Sequence, residues 1–161
     1  MGWATMRTTQ DVYLSFGLKE GAELKLTGKE SREFNDYIAE AVSQNTVEGD
    51  IRDYSVEEGF SDSEHLTDGF DYDFTIRFDI DICGKYDYYP GSMYGRNGDP
   101  GDPPEESWEP DGGWIENLDK SKIISDLLAI DKLGPLIEKD SIHISLRDYD
   151  PEGALDIDDD Y

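Results

Sequence analysis

The chain is poor in the residues that build cross-links, metal centres and membrane anchors. Its one cysteine, Cys83, excludes an internal disulfide framework, and with only two histidines in 161 residues no Cys/His cluster is left for a structural zinc site. Such sparing use of cysteine fits a reducing compartment, and a cytoplasmic location is expected. No apolar run approaches the roughly 18 residues of a membrane span. The start, MGWATMR, lacks the apolar stretch of a signal peptide, and Met6 occupies the position where myristoylation needs Ser or Thr. Met6 is itself a candidate start, so residues 1–6 are expected to fray. No nucleophile elbow, phosphate loop or H-E-x-x-H zinc motif occurs, so no catalytic residue is assigned and an enzyme is not expected. His65 falls in a polar loop, and His143 alternates with Ile142 and Ile144 and should face solvent or a neighbouring element rather than a substrate.

Bases are the other shortage: 14 Lys and Arg stand against 39 Asp and Glu, for a formal charge of -25. The imbalance is not uniform. Residues 1–35 hold five acids (Asp11, Glu20, Glu23, Glu30, Glu33) and five bases (Arg7, Lys19, Lys25, Lys29, Arg32), so the whole excess belongs to the rest of the chain. Charge of one sign at this density repels itself and weakens the compact state, which argues that it serves more than solubility. Nucleic acid and anionic membrane would both be repelled, and a strongly basic protein is the complementary partner. With 36% hydrophobic and 12% aromatic residues the chain still has the means to fold, and its length predicts a single domain over 1–161.

Periodicity predicts the elements. Val12 to Leu18 and Ala22 to Leu26 read as strands joined by a Lys19-Glu20-Gly21 turn. Thr27 and Glu30 have capping-box spacing before Phe34, Tyr37, Ile38, Ala41 and Val42, which predicts a helix over 28–43. Ile51 to Val56 should form a short strand within the polar stretch that follows. From Phe70 to Cys83 the alternation is strict, placing Phe70, Tyr72, Phe74, Ile76, Phe78, Ile80 and Ile82 on one face of a long strand. A Tyr-, Gly- and Pro-rich excursion covers 84–113. A second helix is expected from Asp119 to Leu133, ended by Gly134-Pro135, and Ile142, Ile144 and Leu146 alternate in a last strand. The order of elements implies an α+β fold with a mostly antiparallel sheet and two helices packed on one face.

The opposite face of the long strand carries Asp71, Asp73, Asp79 and Asp81. Same-face residues recur about every 6.8 Å, so these carboxylates form a rigid row, a spacing of the order that separates phosphates along a nucleic-acid backbone. A solvated strand face is the plain alternative, yet Asp is disfavoured in strands, and four on one strand carry a local cost. Asp99 to Asp119 adds Asp99, Asp102, Glu105, Glu106, Glu109 and Asp111 with no Lys or Arg, close to Tyr86, Tyr88, Tyr89 and Trp108. Aromatic anchors beside steering charge are typical of protein-binding surfaces, and these residues together are the expected partner-binding site.

The C-terminal run from Asp148 to Asp159 resembles an EF-hand calcium loop, with Asp148, Asp150, Glu152 and Asp156 at loop positions 1, 3, 5 and 9 and Gly153 at 6. It departs from the pattern in having Asp159 in place of the bidentate glutamate, and no exiting helix follows. An acidic tail, frayed over 150–161, is the reading preferred, with no metal and no cofactor. In size, charge and carboxylate row the chain resembles the phage-borne anti-restriction and anti-CRISPR inhibitors. The resemblance implies a DNA mimic that blocks the nucleic-acid-binding groove of a basic protein, a nuclease or CRISPR effector, in the cytoplasm of an infected host. An immunity protein that neutralises a nuclease toxin is the first alternative; a calcium-binding interaction module and an acidic chaperone-like partner of nucleic-acid-binding proteins follow.

Overall fold

The computed structural model describes residues 2–89, 91 and 105–148. The elements in chain order are β1 (Gly2–Gly17), β2 (Glu23–Lys25), α1 (Gly28–Ser43), β3 (Thr46–Val47), β4 (Ile51–Glu58), β5 (His65–Thr67), β6 (Asp71–Tyr89), β7 (Glu105–Gly112), β8 (Asn117–Leu118), α2 (Lys120–Leu128) and β9 (His143–Leu146). The fold is α+β, with a mostly antiparallel sheet. β6 is its spine. One edge pairs with β1 along sixteen consecutive positions, Gly2 opposite Tyr86 through Gly17 opposite Asp71. The other edge pairs with β4 over Thr75 to Ile80 and then with β7 over Cys83 to Tyr89. β9 closes the far side against Val12 to Ser15 of β1.

The alternation read from the sequence makes one face of this sheet the core. Phe74, Ile76, Phe78, Ile80 and Ile82 of β6 are buried with Val12, Leu14 and Phe16 of β1. Phe16 stacks on Phe74 at 5.5 Å, and Phe60 meets Phe74 edge-on at 4.9 Å. Each such side chain contributes about 1.5–3 kcal/mol on leaving water. α1 adds Phe34, Ile38, Ala41 and Val42 to this cluster, and α2 adds Ile123 and Leu127. The buried Gln10 holds the layers together: its amide nitrogen donates to the carbonyls of Ile115 (3.0 Å) and Arg147 (2.8 Å), and its oxygen accepts from the Ile115 amide (2.8 Å). Beyond β7 the chain turns under the sheet at Gly113, whose φ of 112° and closeness to the Asp81 carbonyl leave no room for a Cβ.

Several elements differ from expectation. β1 begins at Gly2, so Gly2–Met6, expected to fray, are paired with Ile82–Tyr86. β2 does not form a hairpin with β1; it pairs with β5, which lifts His65 from a loop onto a strand, where its Nε2 meets Glu23 at 2.5 Å. Phe70 is 64% exposed, because β6 starts one residue later and its backbone turns at Gly69 (φ 85°). The described parts of the 84–113 excursion are mostly sheet: β6 runs on to Tyr89, and β7 pairs back along it from Glu105. α2 stops at Leu128, five residues short, because the amides of Ala129 and Ile130 turn to the carbonyls three residues back, Asp126 and Leu127, and Lys132 takes a left-handed φ of 67°. Gly134-Pro135 therefore opens a 3-10 turn instead of capping the helix. Predicted residues 150–161, with Asp150, Glu152, Asp156 and Asp159 of the calcium-like loop, lie outside the described residues, as do Asp99 and Asp102; Asp148 is exposed after β9.

Candidate protein-binding face

Both helices lie on the core side, so among the described residues no helix covers the other face of the sheet. Pairing across the strands turns the row seen in β6 into a two-dimensional array. Asp79 sits between Thr9 of β1 and Asp53 of β4, Arg77 between Asp11 and Ser55, Thr75 between Tyr13 and Glu58, and Asp73 opposite Ser15. Asp53 and Asp79 are thus like charges directly opposite each other, an arrangement that weakens a sheet. Asp71, Asp73 and Asp79 are exposed and have no ion-pair partner among the described residues, whereas Asp81 faces the Arg52 guanidinium at 3.7 Å.

The row is interrupted at its centre. Arg77 binds Asp11 through two contacts, Nε to Oδ1 at 3.0 Å and Nη2 to Oδ2 at 3.4 Å, which holds its guanidinium above the ordinary arginine range through that hydrogen bond and the carboxylate charge. Two aspartate pairs, Asp71 with Asp73 and Asp79 with Asp81, flank this neutralised centre, with Asp73 and Asp79 about 20 Å apart by strand rise. Beside the first pair lies a concavity of about 490 Å³ that takes in Tyr13, Glu58, Asp73 and His143. His143 is exposed there, the first of the two positions its alternation allowed. An aromatic ring flanked by two carboxylates is suited to a guanidinium or ammonium group.

The expected site does not form one surface. Tyr86 pairs with Trp108 and Gly84 with Pro110, which puts them on the core side by parity, while Lys85 with Glu109 and Asp87 with Ser107 continue the open face. The Trp108 ring lies over Gly84, where a Cβ would collide with it, and its indole N–H points at the Ala4 carbonyl at 3.4 Å. Trp108 is therefore a half-buried packing residue and not an anchor beside the acids. Tyr88 is 51% exposed but shares the core-side parity with Glu106, and Tyr89 opposes Glu105 across the hairpin. Glu105, Glu106, Glu109 and Asp111 are all exposed along β7, the outermost strand at that end. The residues missed from sequence are Asp53 and Glu58, whose place on the array depends on long-range pairing.

Like charge is concentrated elsewhere too. Glu116, next to the short β3–β8 ladder, is raised above its ordinary 4.5 by the hydrogen bond and charge of Glu48. Glu30 is lowered, first by the hydrogen bond from Lys132 and then by the Thr27 backbone of the α1 cap. Among the described residues no group of three or more His, Cys, Asp or Glu is placed to hold a metal ion, and no helix is long and apolar enough to cross a membrane. No family model, curated protein or solved structure matches the chain.

Proposed function

We propose that this protein is an acidic inhibitor that occupies the nucleic-acid-binding groove of a basic protein, as a DNA mimic of the anti-CRISPR or anti-restriction kind. The observation that carries the reading is a sheet face that no described helix covers, where three aspartates on one rigid strand, Asp71, Asp73 and Asp79, have no ion-pair partner among the described residues. A sheet holds carboxylates at fixed spacing before any partner arrives, so little ordering entropy is lost on binding. The long-range field of the chain then speeds encounter with a basic groove.

The test is competition. The partner should bind this protein or its nucleic acid but not both, with an association rate that falls as salt rises. Replacing Asp71, Asp73, Asp79 and Asp81 by Asn preserves shape and removes the charge; the variant should stay folded and lose most of its inhibition. Normal inhibition by the fourfold variant would reduce the row to a solvated strand face.

One observation favours a second reading. The Arg77–Asp11 pair breaks the row into two acidic patches, and an immunity protein that blocks a nuclease toxin from beside its active site has no need of evenly spaced charge. Simultaneous binding of nucleic acid and this protein to the partner would select that reading over mimicry.

A further inference from the structure

A second surface lies on the helical layer, with β6 and its aspartates on the opposite side of the core. Along α1, Glu30, Glu33, Phe34, Tyr37, Glu40 and Ala41 recur at three- and four-residue intervals, so they form one continuous stripe. α1 has sixteen residues, about 24 Å, and α2 has nine, about 14 Å. The shorter helix cannot cover the longer one along its length. What remains is a groove of about 530 Å³ between α1 and the chain leaving α2.

The floor of the groove is apolar: Phe34, Tyr37 and Ala41 from α1, with Ala129 and Ile130 from the turn after α2. Tyr37 is 48% exposed and leans on Phe34, ring centroids 6.1 Å apart, so a large aromatic face is left in water. The rim is acidic, with Glu30, Glu33, Glu40, Asp126 and Asp131 against two ammonium groups, that of Lys132, which Glu30 holds at 3.0 Å, and that of Lys29, an exposed i,i+4 neighbour of Glu33 at 4.0 Å. Glu40 and Asp126 take hydrogen bonds from the neutral amides of Gln44 (3.0 Å) and Asn45 (2.9 Å), which leave their charge uncompensated.

From this geometry we infer that the α1–α2 groove docks a basic amphipathic helix of a partner protein, its apolar residues on Tyr37 and its Lys and Arg on the carboxylate rim. A helix fits because the exposed stripe already has the spacing of a helix–helix seam, and helix-in-groove recognition reads anchors at i, i+3, i+4 and i+7. The charge complementarity selects a basic occupant over an acidic or neutral one. The inference does not depend on the open sheet face being the inhibitory surface; it gives the protein a second, separately testable contact.

The probe is a fluorescein-labelled 18-residue peptide with leucines on one helical face and lysines on its flanks. A scrambled peptide of identical composition controls for the attraction any basic peptide feels toward a chain of charge -25. Fluorescence anisotropy at 150 mM salt should show the amphipathic peptide binding at least tenfold tighter than the scrambled one. Tyr37→Ala should remove most of that preference. So should the surface set Glu33→Gln, Glu40→Gln and Asp131→Asn, which alters no buried side chain and keeps the result interpretable if the tyrosine variant unfolds. Asp71, Asp73, Asp79 and Asp81 changed to Asn should leave the preference intact. Equal binding of the two peptides, or a preference lost with the fourfold aspartate variant and kept with the surface set, would overturn the assignment.

Discussion

Arg77 of β6 reaches across the open face to Asp11 of β1 and grips both of its carboxylate oxygens; the Asp11 side chain is 9% exposed and that of Arg77 43%. The pair places one compensated charge in the middle of a face otherwise dominated by unpaired carboxylates.

Removing one partner should cost more than removing both. Arg77→Met leaves Asp11 covered and unpaired and should destabilise by about 2 kcal/mol, discounted from the fully buried case because the site is half open to water. Adding Asp11→Asn should recover a good part of that loss. Urea unfolding of the four members of the cycle measures it; additive single losses would mean that the two side chains are not coupled.

Asp79 should cost the sheet stability. It directly opposes Asp53 across the β4–β6 ladder, and like charges in that position cost a few tenths to about 1 kcal/mol. Asp79→Asn should therefore raise the melting temperature by a few degrees at low salt, with the gain shrinking as salt is added. A melting temperature that falls would mean that the carboxylate makes a contact which supports the sheet.

Stability should pass through a maximum as acid is added. Glu116 is raised by Glu48, so its ionised form is penalised in the folded state. Relief of that penalty begins as pH falls through the raised value and is complete below the ordinary 4.5. Glu30 is lowered by Lys132, so its contribution is present above 4.5 and is lost as pH falls further. Thermal melts at low salt should thus improve from pH 7 toward pH 5 and worsen below about 4. In Glu116→Gln the improvement on acidification should be smaller. A steady fall from pH 7 to pH 5 would contradict the assignment.

What could be read from the chain alone was what is decided locally. The Thr27–Glu30 capping box forms as spaced, both hydrogen bonds at 3.2 Å, because its partners lie three residues apart. The alternation of β6 was equally plain, since one strand face is buried almost without exception. The first half of β1 carries no such pattern: Trp3, Thr5, Arg7 and Thr9 become strand residues only because β6 offers sixteen partners. The same reason hid Asp53 and Glu58, whose position on the acidic face is set by pairing with residues in β6. Composition alone places Trp108 with the acidic surface; its face is set by pairing with Tyr86, and the absent side chain at Gly84 makes room for the ring there. The end of α2 was misplaced because the apolar spacing continues through Ile130 while the backbone has already turned.

The sixteen-residue register of β1 with β6 also fixes the order of events when the chain folds. β1 is separated from its partner β6 by α1 and β4, so the longest ladder among the described residues waits for a distant segment. Long-range pairing of this kind slows folding, because loop closure must come before its contacts return any stability. During that wait β1 is a long unpaired edge. The near-neutral first 35 residues and the acidic remainder then act in sequence: a strand without excess charge does not repel the aspartate-rich strand it must meet, while mutual repulsion between the acidic remainders of neighbouring chains keeps their exposed edges apart.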